Sequence, residues 1–168
     1  MQDLEGLTRS RPDVVSLDTD KWQTLRDLRL KALGESPESF LGDLRAERAY
    51  DEKHWRQELA HNVWIVATLE TRHIGLAKLN LQTDDGMHLE ALWVDPNERR
   101  RGVGTQLVSA LEVIAARRGT RQLKLWIFTE NELARQFYRH IEYGETTVVQ
   151  PIKTNNRVRH EAEYQRHL

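Results

Sequence analysis

Apolar residues recur with a helical period in the first third of the chain. Between Trp22 and Leu33 they fall at helical spacing, behind cap residues at 18–20 and before Gly34, which predicts an amphipathic helix that stops at this glycine. A turn rich in Ser, Pro and Glu leads into a second, charged helix that is predicted over 44–60. Two helices joined by a flexible connection are therefore expected.

Short apolar runs bounded by turn residues predict strands in the rest of the chain. The second and third runs pair around a turn as a hairpin, and Asp95-Pro96 ends the fourth because proline cannot extend a strand ladder. The last two runs flank a polar turn and are expected to form a closing hairpin. The predicted strands lie at 14–17, 63–67, 74–79, 88–94, 123–128, 147–149 and 158–164.

A strand, a glycine-containing loop and a helix follow one another directly after residue 87. The helix is predicted from an apolar stripe of 3.6-residue period that runs to Gly119, and the strand at 123–128 then returns parallel to the first. Thr129 and Glu132 have the spacing of a capping box, which predicts the start of a last helix. Together these elements predict a βαβ unit.

The length and charge of the chain narrow the class of protein. All 168 residues fit a single domain, with residues 1–13 as a loose terminus. The 25 Lys and Arg nearly cancel the 26 Asp and Glu, so no net basic field attracts nucleic acid or an anionic membrane. Neither a nucleic-acid partner nor a membrane partner is therefore expected.

The cysteine, histidine and apolar content exclude further classes. The absence of cysteine excludes a disulfide scaffold, a thiolate zinc site and a cysteine nucleophile, and it fits a reducing compartment. No secretion signal and no run of membrane-spanning length is found, so the expected location is the cytoplasm. His54, His61 and His73 lack the spacing of metal ligands, and no catalytic metal is expected.

The loop between the strand at 88–94 and the next helix has the chemistry of an anion site. Backbone N–H groups at a helix N-terminus have no intrahelical acceptor, and the helix dipole adds positive charge. Gly102 and Gly104 would let a phosphate approach closely, and the arginines at 99–101 would pair with its oxygens. The loop suits a pyrophosphate, and a plain turn beside solvated arginines is the alternative.

The spacing of the glycines excludes two familiar phosphate motifs. No G-x-x-x-x-G-K-S/T sequence is present, so a P-loop NTPase has no support. The dinucleotide fingerprint G-x-G-x-x-G also fails, because Leu107 stands in place of its third glycine. Neither nucleotide motif explains the loop.

Two other motifs resemble those of the GNAT superfamily of N-acetyltransferases. R-x-x-G-x-G at 99–104, directly after the strand end at 92–96, closely resembles motif A, and N-x-x-A-x-x-F-Y at 131–138 is similar to motif B. The segments 28–33 and 36–40 are similar to the opening of many bacterial members. The order of the predicted elements also agrees with the family over almost the whole chain.

This resemblance implies an α/β (α+β) GNAT-like acyl-CoA N-acyltransferase fold: a central, mostly antiparallel sheet with a splayed parallel strand pair and helices on both faces. It also implies acetyl-CoA as cofactor and transfer of the acetyl group to a primary amine of a small molecule or peptide, by direct attack in a ternary complex. The implied cofactor contacts, some of them through backbone N–H groups, are Leu92, Trp93, Val94, Arg99, Arg100, Arg101, Gly102, Val103, Gly104, Thr105, Asn131 and Tyr138.

Two residues of the strand at 88–94 are candidates for the general base that an amine nucleophile needs. Strict side-chain alternation would place His88 and Glu90 on one face, the substrate side. Leu92 and Val94 would share that face. Glu90 is the first choice because partial burial would raise its pKa toward neutrality, whereas an unperturbed histidine has a pKa of about 6.5. The alternative is a strand carboxylate that is exposed or paired with an arginine.

Two residues of the motif B segment have roles implied by the resemblance. Tyr138 matches the family tyrosine that donates a proton to the coenzyme A thiolate or hydrogen-bonds its sulfur, and the alternative is a core aromatic. Asn131 matches the family asparagine that contacts the cofactor, but asparagine at a helix start is also a common cap. The resemblance favours Tyr138 as the proton donor and leaves both roles of Asn131 open.

Two other functions stay open on the sequence. A module that binds acyl-CoA as a sensor, without catalysis, would need the same glycine loop. A nucleic-acid-binding protein could use Arg117 and Arg118 together with the arginines at 99–101, although the balanced charge argues against it. The cofactor loop alone does not distinguish binding from turnover.

The identity of the acceptor amine is not encoded in any motif. Irregular segments at 36–42 and 82–86, together with the terminal hairpin, are expected to select it. The acids in or beside these segments would either attract a cationic amine or be solvated surface charges: Glu35, Glu38, Asp43 and Asp84. A homodimer through sheet edges or helices is compatible with the sequence.

Overall fold

The computed structural model describes residues 11–154 and 157–168, and it contains one seven-stranded sheet. The strands are β1 (Asp13–Ser16), β2 (Val63–Leu69), β3 (Arg72–Thr83), β4 (Gly86–Val94), β5 (Gln122–Phe128), β6 (Gly144–Lys153) and β7 (Val158–His167). Their order in the sheet is β1-β2-β3-β4-β5-β7-β6, and every neighbouring pair is antiparallel except β4 with β5. The predicted mixed sheet with one parallel pair is confirmed. The loose terminus predicted at 1–13 falls mostly outside the described residues, and Asp13 already belongs to β1.

Five α-helices connect the strands within the described ranges. They are α1 (Trp22–Glu35), α2 (Leu44–Arg48), α3 (Glu52–His61), α4 (Val103–Arg117) and α5 (Glu132–His140). None of these described helices combines the length and the apolar composition that crossing a membrane requires.

Three predictions about helix ends are wrong. The single helix predicted over 44–60 is two helices, because the Asp51 carboxylate accepts the backbone N–H of His54 and starts α3 anew. The predicted capping box at Thr129 is replaced by Asn131, whose side chain accepts the N–H of Ala134 at 3.1 Å. Gly34 does not stop α1, which continues to Glu35.

The helices cover both faces of the sheet, as predicted, with a separate apolar cluster on each. On one face, here called the α4 face, α4 and α5 pack on the sheet through residues such as Leu107, Leu111 and Tyr138. On the other, the α1 face, α1 and α3 pack around Trp64 and Trp93. Each strand residue can therefore be assigned to a face by the cluster it joins.

A bulge in β4 changes the face on which its side chains lie. Leu76 of β3 pairs with Trp93, but Lys78, two residues on, pairs with Glu90, three residues back, so β4 carries one extra residue. Ala91 absorbs it with a φ of 54°. The predicted common face of β4 is therefore wrong beyond Glu90. Glu90 and Trp93 lie on the α1 face, whereas Leu92 and Val94 pack on the α4 face.

Candidate functional site

The predicted anion site corresponds to the first turn of α4. Gly102 is the N-cap residue with a φ of 80°, and a Cβ atom built there would meet nothing within 4 Å, so its backbone angle and not lack of space requires glycine. Gln106 donates its N–H to the carbonyl of Gly102 at 3.0 Å. The N–H groups of residues 103–105 precede this first bond, have no intrahelical acceptor and are free to bind an anion.

Gly104 serves packing in this structure. A Cβ atom at this position would lie 3.2 Å from Cζ of Phe137 and 3.4 Å from Cε2, so the α5 ring occupies the space that a side chain would need. The sequence suggested that both glycines admit a phosphate. Glycine has a different local cause at each position: backbone conformation at Gly102 and close contact between α4 and α5 at Gly104. Close approach of a phosphate to either glycine stays a prediction.

The three arginines of the loop are not equivalent. Arg101 donates to the buried carboxylate of Glu98 at 2.8 Å, and Arg99 donates to Glu35 at 2.7 Å. Arg100, with a φ of 62°, has no hydrogen bond or ion pair within the described part of the chain. Of the three side chains, only that of Arg100 is uncommitted and could pair with phosphate oxygens without breaking an internal contact.

An opening lies between β4 and β5, beside this turn. A single Cα pair, His88 with Lys124, keeps the parallel register, and the strands separate beyond it. The N–H of Asp95 donates to the carbonyl of Ile74 on β3 at 2.8 Å. Because backbone polar groups alternate between the two edges of a strand, the N–H and C=O of Val94 point away from β3, into the opening. This orientation is the one that contact with a pantetheine arm or thioester carbonyl needs.

Glu90 lies beside the opening on the α1 face and is held by two neighbours. Asn80 Nδ2 donates to one carboxylate oxygen at 2.8 Å, and Lys78 Nζ lies 3.4 Å from the other. Its side chain is 39% exposed. In this structure Glu90 is thus a paired strand carboxylate, and its partner is a lysine where the sequence suggested an arginine.

His88 is more deeply enclosed than Glu90 and shares its face. The residue is 6% exposed, and Nε2 lies 2.9 Å from Asp85 Oδ1 without the alignment of a hydrogen bond. Lys124 donates to the other Asp85 oxygen at 3.0 Å, and this bond lowers the pKa of the Asp85 carboxyl despite its partial burial. No group of three His, Asp or Glu residues suited to a metal ion occurs in the described ranges.

Tyr138 is buried on the α4 face among aromatic rings. Its ring centroid lies 5.0 Å from that of Phe137 and 5.6 Å from that of Tyr143. Burial raises the pKa of the Tyr138 phenol well above its ordinary value, so the hydroxyl stays protonated. No hydrogen bond to this hydroxyl is found among the described residues.

Asn131, whose two roles the sequence left open, is an N-cap here, and its contact with a cofactor stays a prediction.

Glu35 occupies a place that the sequence did not reveal. One oxygen of its carboxylate accepts hydrogen bonds from Ser36 Oγ, from Trp93 Nε1 at 2.9 Å and from Arg99 Nη2 at 2.7 Å. Burial alone would raise the pKa of Glu35, but these hydrogen bonds lower it below its ordinary value. The available signal was a carboxylate at the last residue of a helix, where the helix dipole disfavours negative charge unless donors offset it.

Known proteins resemble the chain in sequence and in fold. A profile of the Acetyltransferase (GNAT) family matches residues 22–143. Over 70 residues the chain is 34% identical to an uncharacterized N-acetyltransferase of Methanocaldococcus jannaschii, a match that covers 42% of this chain and 31% of that relative. The chain therefore matches less than a third of the relative's length.

Two solved structures share the fold over nearly the whole chain. A GCN5-related N-acetyltransferase from Rhodopseudomonas palustris has a TM-score of 0.73 at 20% identity, covering 97% of this chain and 99% of that one. YncA from Salmonella typhimurium, solved with its cofactor acetyl-CoA, has a TM-score of 0.72 at 16% identity over 94% of each chain. The family profile extends from the start of α1 past the end of α5, and the chain belongs to the GNAT family of acetyltransferases, whose cofactor is acetyl-CoA.

Proposed function

We propose that the chain is an N-acetyltransferase that moves the acetyl group of acetyl-CoA to a primary amine of a small molecule or peptide, by direct attack in a ternary complex. The observation that carries the proposal is the separation of β4 from β5 beyond His88, directly beside the first turn of α4. One element offers anion donors and the other a gap with a backbone donor at Val94. A long cofactor with a phosphate end and a thioester end needs both.

The chain's own groups would hold acetyl-CoA by its two ends. The free N–H groups of residues 103–105 and the guanidinium of Arg100 would bind the pyrophosphate. The N–H groups of Leu92 and Val94 would face the arm and the thioester oxygen, where they would stabilise negative charge as it develops. The cofactor supplies an acetyl group activated as a thioester. Trp93, Thr105 and Asn131 remain proposed contacts.

Proton transfer on the amine side would fall to Glu90, with His88 as second candidate. An ammonium must lose one proton to become a nucleophile, and the neutral amine loses another as the amide forms. A carboxylate beside the opening can accept a proton directly or through water. Lys78 Nζ, 3.4 Å from one oxygen, holds the Glu90 carboxylate in place. His88 lies two residues earlier on the same face, next to Asp85.

Proton transfer on the sulfur side would fall to Tyr138. Its hydroxyl is protonated and has no partner among the described residues, so it is available to donate to a departing thiolate. A sensor that binds acyl-CoA without turnover is the second candidate function. It would use the α4 turn and the opening alike, but it would have no need of Glu90 or Tyr138.

A thiol-release screen tests the proposal. The protein is incubated with acetyl-CoA and a panel of primary amines that includes polyamines, aminoglycosides, amino acids and peptides, and free CoA thiol is followed. Thermal unfolding with acetyl-CoA is measured in parallel, where ligand at about 100 times its Kd stabilises the fold by about 2.7 kcal/mol. Amine-dependent thiol release supports the transferase. Stabilisation without release for any amine would favour the sensor, and no stabilisation would refute cofactor binding.

A further inference from the structure

The arginine that opens the R-x-x-G-x-G motif is turned toward β4 and α1 in this structure. Arg99 Nε donates to the carbonyl oxygen of Val94 at 2.9 Å, and Nη2 donates to Glu35 at 2.7 Å and approaches Ser36 Oγ at 3.4 Å. We propose that Arg99 and Glu35 are positioning residues of acetyl transfer, not ligands of the cofactor. They hold the end of β4 at Val94, where the thioester would bind, against the segment at 36–42 that is expected to select the acceptor. This role rests on the proposed function.

The contact with Val94 is the one that bears on the reaction. Val94 is the residue whose N–H and C=O both point into the opening between β4 and β5. A guanidinium is planar and offers several donors in fixed directions, so one that bonds the carbonyl also fixes the orientation of the peptide plane. Arg99 therefore sets the direction of the Val94 N–H, although it bonds only the Val94 carbonyl.

The contact with Glu35 carries this control to the acceptor side. Glu35 is the last residue of α1, and Ser36 begins the connection of residues 36–43 to α2. The side chains of Arg99 and Glu35 are 44% and 31% exposed, so their ion pair alone contributes little stability. The same carboxylate oxygen, however, also holds the indole of Trp93, which is buried on β4. The arrangement sets geometry more than it adds stability.

A second ion pair reinforces the junction one helical turn earlier. Lys31 donates to Asp95 at 2.7 Å, and its ammonium lies 5.3 Å from the centroid of the Trp93 ring. Trp93 is thus bracketed by two ion pairs between α1 and the end of β4. Because Lys31 and Asp95 already hold the helix on the strand, loss of the Glu35 contact is expected to leave the fold intact and to change local positioning.

The two roles of Arg99 predict opposite results in binding and in kinetics. A phosphate ligand would contribute to CoA affinity, and its replacement would raise the Kd for CoA. A positioning residue would leave that Kd unchanged, lower kcat and raise KM for the acceptor. Glu35 distinguishes the roles further, because it touches no group of the anion site and its replacement would leave Arg99 freer to reach a phosphate.

The test uses Arg99→Gln, Glu35→Gln, the double variant and Arg99→Lys, with Arg101→Gln as matched control, since Arg101 has its own carboxylate partner, Glu98, in the same loop. CoA affinity is measured by calorimetry, and turnover with the most reactive amine of the screen. For Arg99→Gln and Glu35→Gln we expect a CoA Kd within about twofold of wild type and an acceptor kcat/KM lowered about tenfold. The double variant should lose no more acceptor kcat/KM than the less active of the two single variants. Arg99→Lys should rescue only in part, because an ammonium lacks the planar fork of a guanidinium.

Amide hydrogen exchange decides the inference even without an acceptor. In both single variants the amides of residues 36–40 and 93–95 should exchange faster than in wild type, and in Arg101→Gln, which loosens only the contact with Glu98, they should not. A tenfold rise of the CoA Kd in Arg99→Gln, with Glu35→Gln unchanged in exchange and turnover, would make Arg99 a phosphate ligand and overturn the inference. If wild type turns over no amine, the proposed function fails, while CoA affinity and exchange still decide the role of Arg99.

Discussion

The first turn of α4 and the α1 face of β4 lie close to the same opening but are built in opposite ways. At the turn the available groups belong mainly to the backbone, and they are free: the N–H groups of residues 103–105 and the side chain of Arg100. On the α1 face the functional groups are side chains that already hold one another, as Glu90 holds Lys78 and Asn80. Free backbone donors can bind a ligand without breaking an internal contact. Paired side chains can act only by keeping or exchanging the hydrogen bonds that they already make.

The largest effect that separates these two regions is expected from Glu90→Gln. This change keeps the hydrogen bond from Asn80 and removes the proton acceptor, so kcat for acetyl transfer should fall about 100-fold. The Kd for CoA should not change, because no part of the anion site is touched. Steady-state turnover and calorimetry of the same preparation measure both quantities.

His88→Gln is the matched comparison for this change. His88 shares the face of Glu90 but lies two residues farther from the bulge. If His88→Gln lowers kcat about 100-fold and Glu90→Gln does not, the base is His88, and the pairing of Glu90 with Lys78 is structural. A change of the CoA Kd in either variant would contradict the separation of the two regions.

The next effect is expected from Tyr138→Phe. Loss of the proton donor should lower kcat about tenfold or more. The melting temperature should not fall, because the Tyr138 hydroxyl has no hydrogen bond among the described residues and its loss breaks no internal contact. Turnover and thermal unfolding are measured on the same variant.

Tyr143→Phe controls for the loss of a buried hydroxyl on the same face. Tyr143 donates to Glu112 at 3.0 Å, so its replacement should cost about 1 kcal/mol of stability without changing turnover. Equal loss of stability in the two variants, without loss of turnover in Tyr138→Phe, would return Tyr138 to the role of a core aromatic.

The sequence predicted the fold and the start of α4 better than it predicted the α1 face. The helix start at Gly102 depends on local glycine spacing, and its position follows directly from the chain. The bulge at Ala91 depends on how β4 pairs with β3, and the apolar run at 91–94 gives no local sign of an extra residue when it is read alone. A misassigned face for Leu92 is the expected result of reading a strand without its neighbour.

Other details differ in whether a local signal was present. Asp51 is an acceptable N-cap residue, so the division of the helix predicted over 44–60 could have been found from residue type. The partners of Glu35 come from β4 and from the loop after it, far along the chain, and no local pattern encodes them. Contacts of this kind become visible only when the elements are assembled.

A smaller effect should distinguish the arginines of the loop. Arg100→Gln removes the one guanidinium of this loop that has no partner among the described residues, and it should raise the Kd for CoA about fivefold, with a difference that shrinks as salt is added. Arg101→Gln, whose side chain is paired with Glu98, should change the Kd less than twofold. Calorimetry at low and high ionic strength measures both. Equal effects would show that the ion pair with Glu98 opens when CoA binds.

The smallest effect concerns the two glycines, because glycine is required at each position for a different local cause. Gly102→Ala must place a side chain at a φ of 80°, and Gly104→Ala must place one 3.2 Å from the ring of Phe137, so each should cost about 1 kcal/mol of unfolding free energy. A second substitution, Phe137→Leu, frees space only above position 104. In that background Gly104→Ala should become nearly neutral while Gly102→Ala keeps its full cost, as urea unfolding of the two glycine variants, of Phe137→Leu and of the two double variants would show. Rescue of both or of neither would mean that the glycines share one requirement, such as the turn itself.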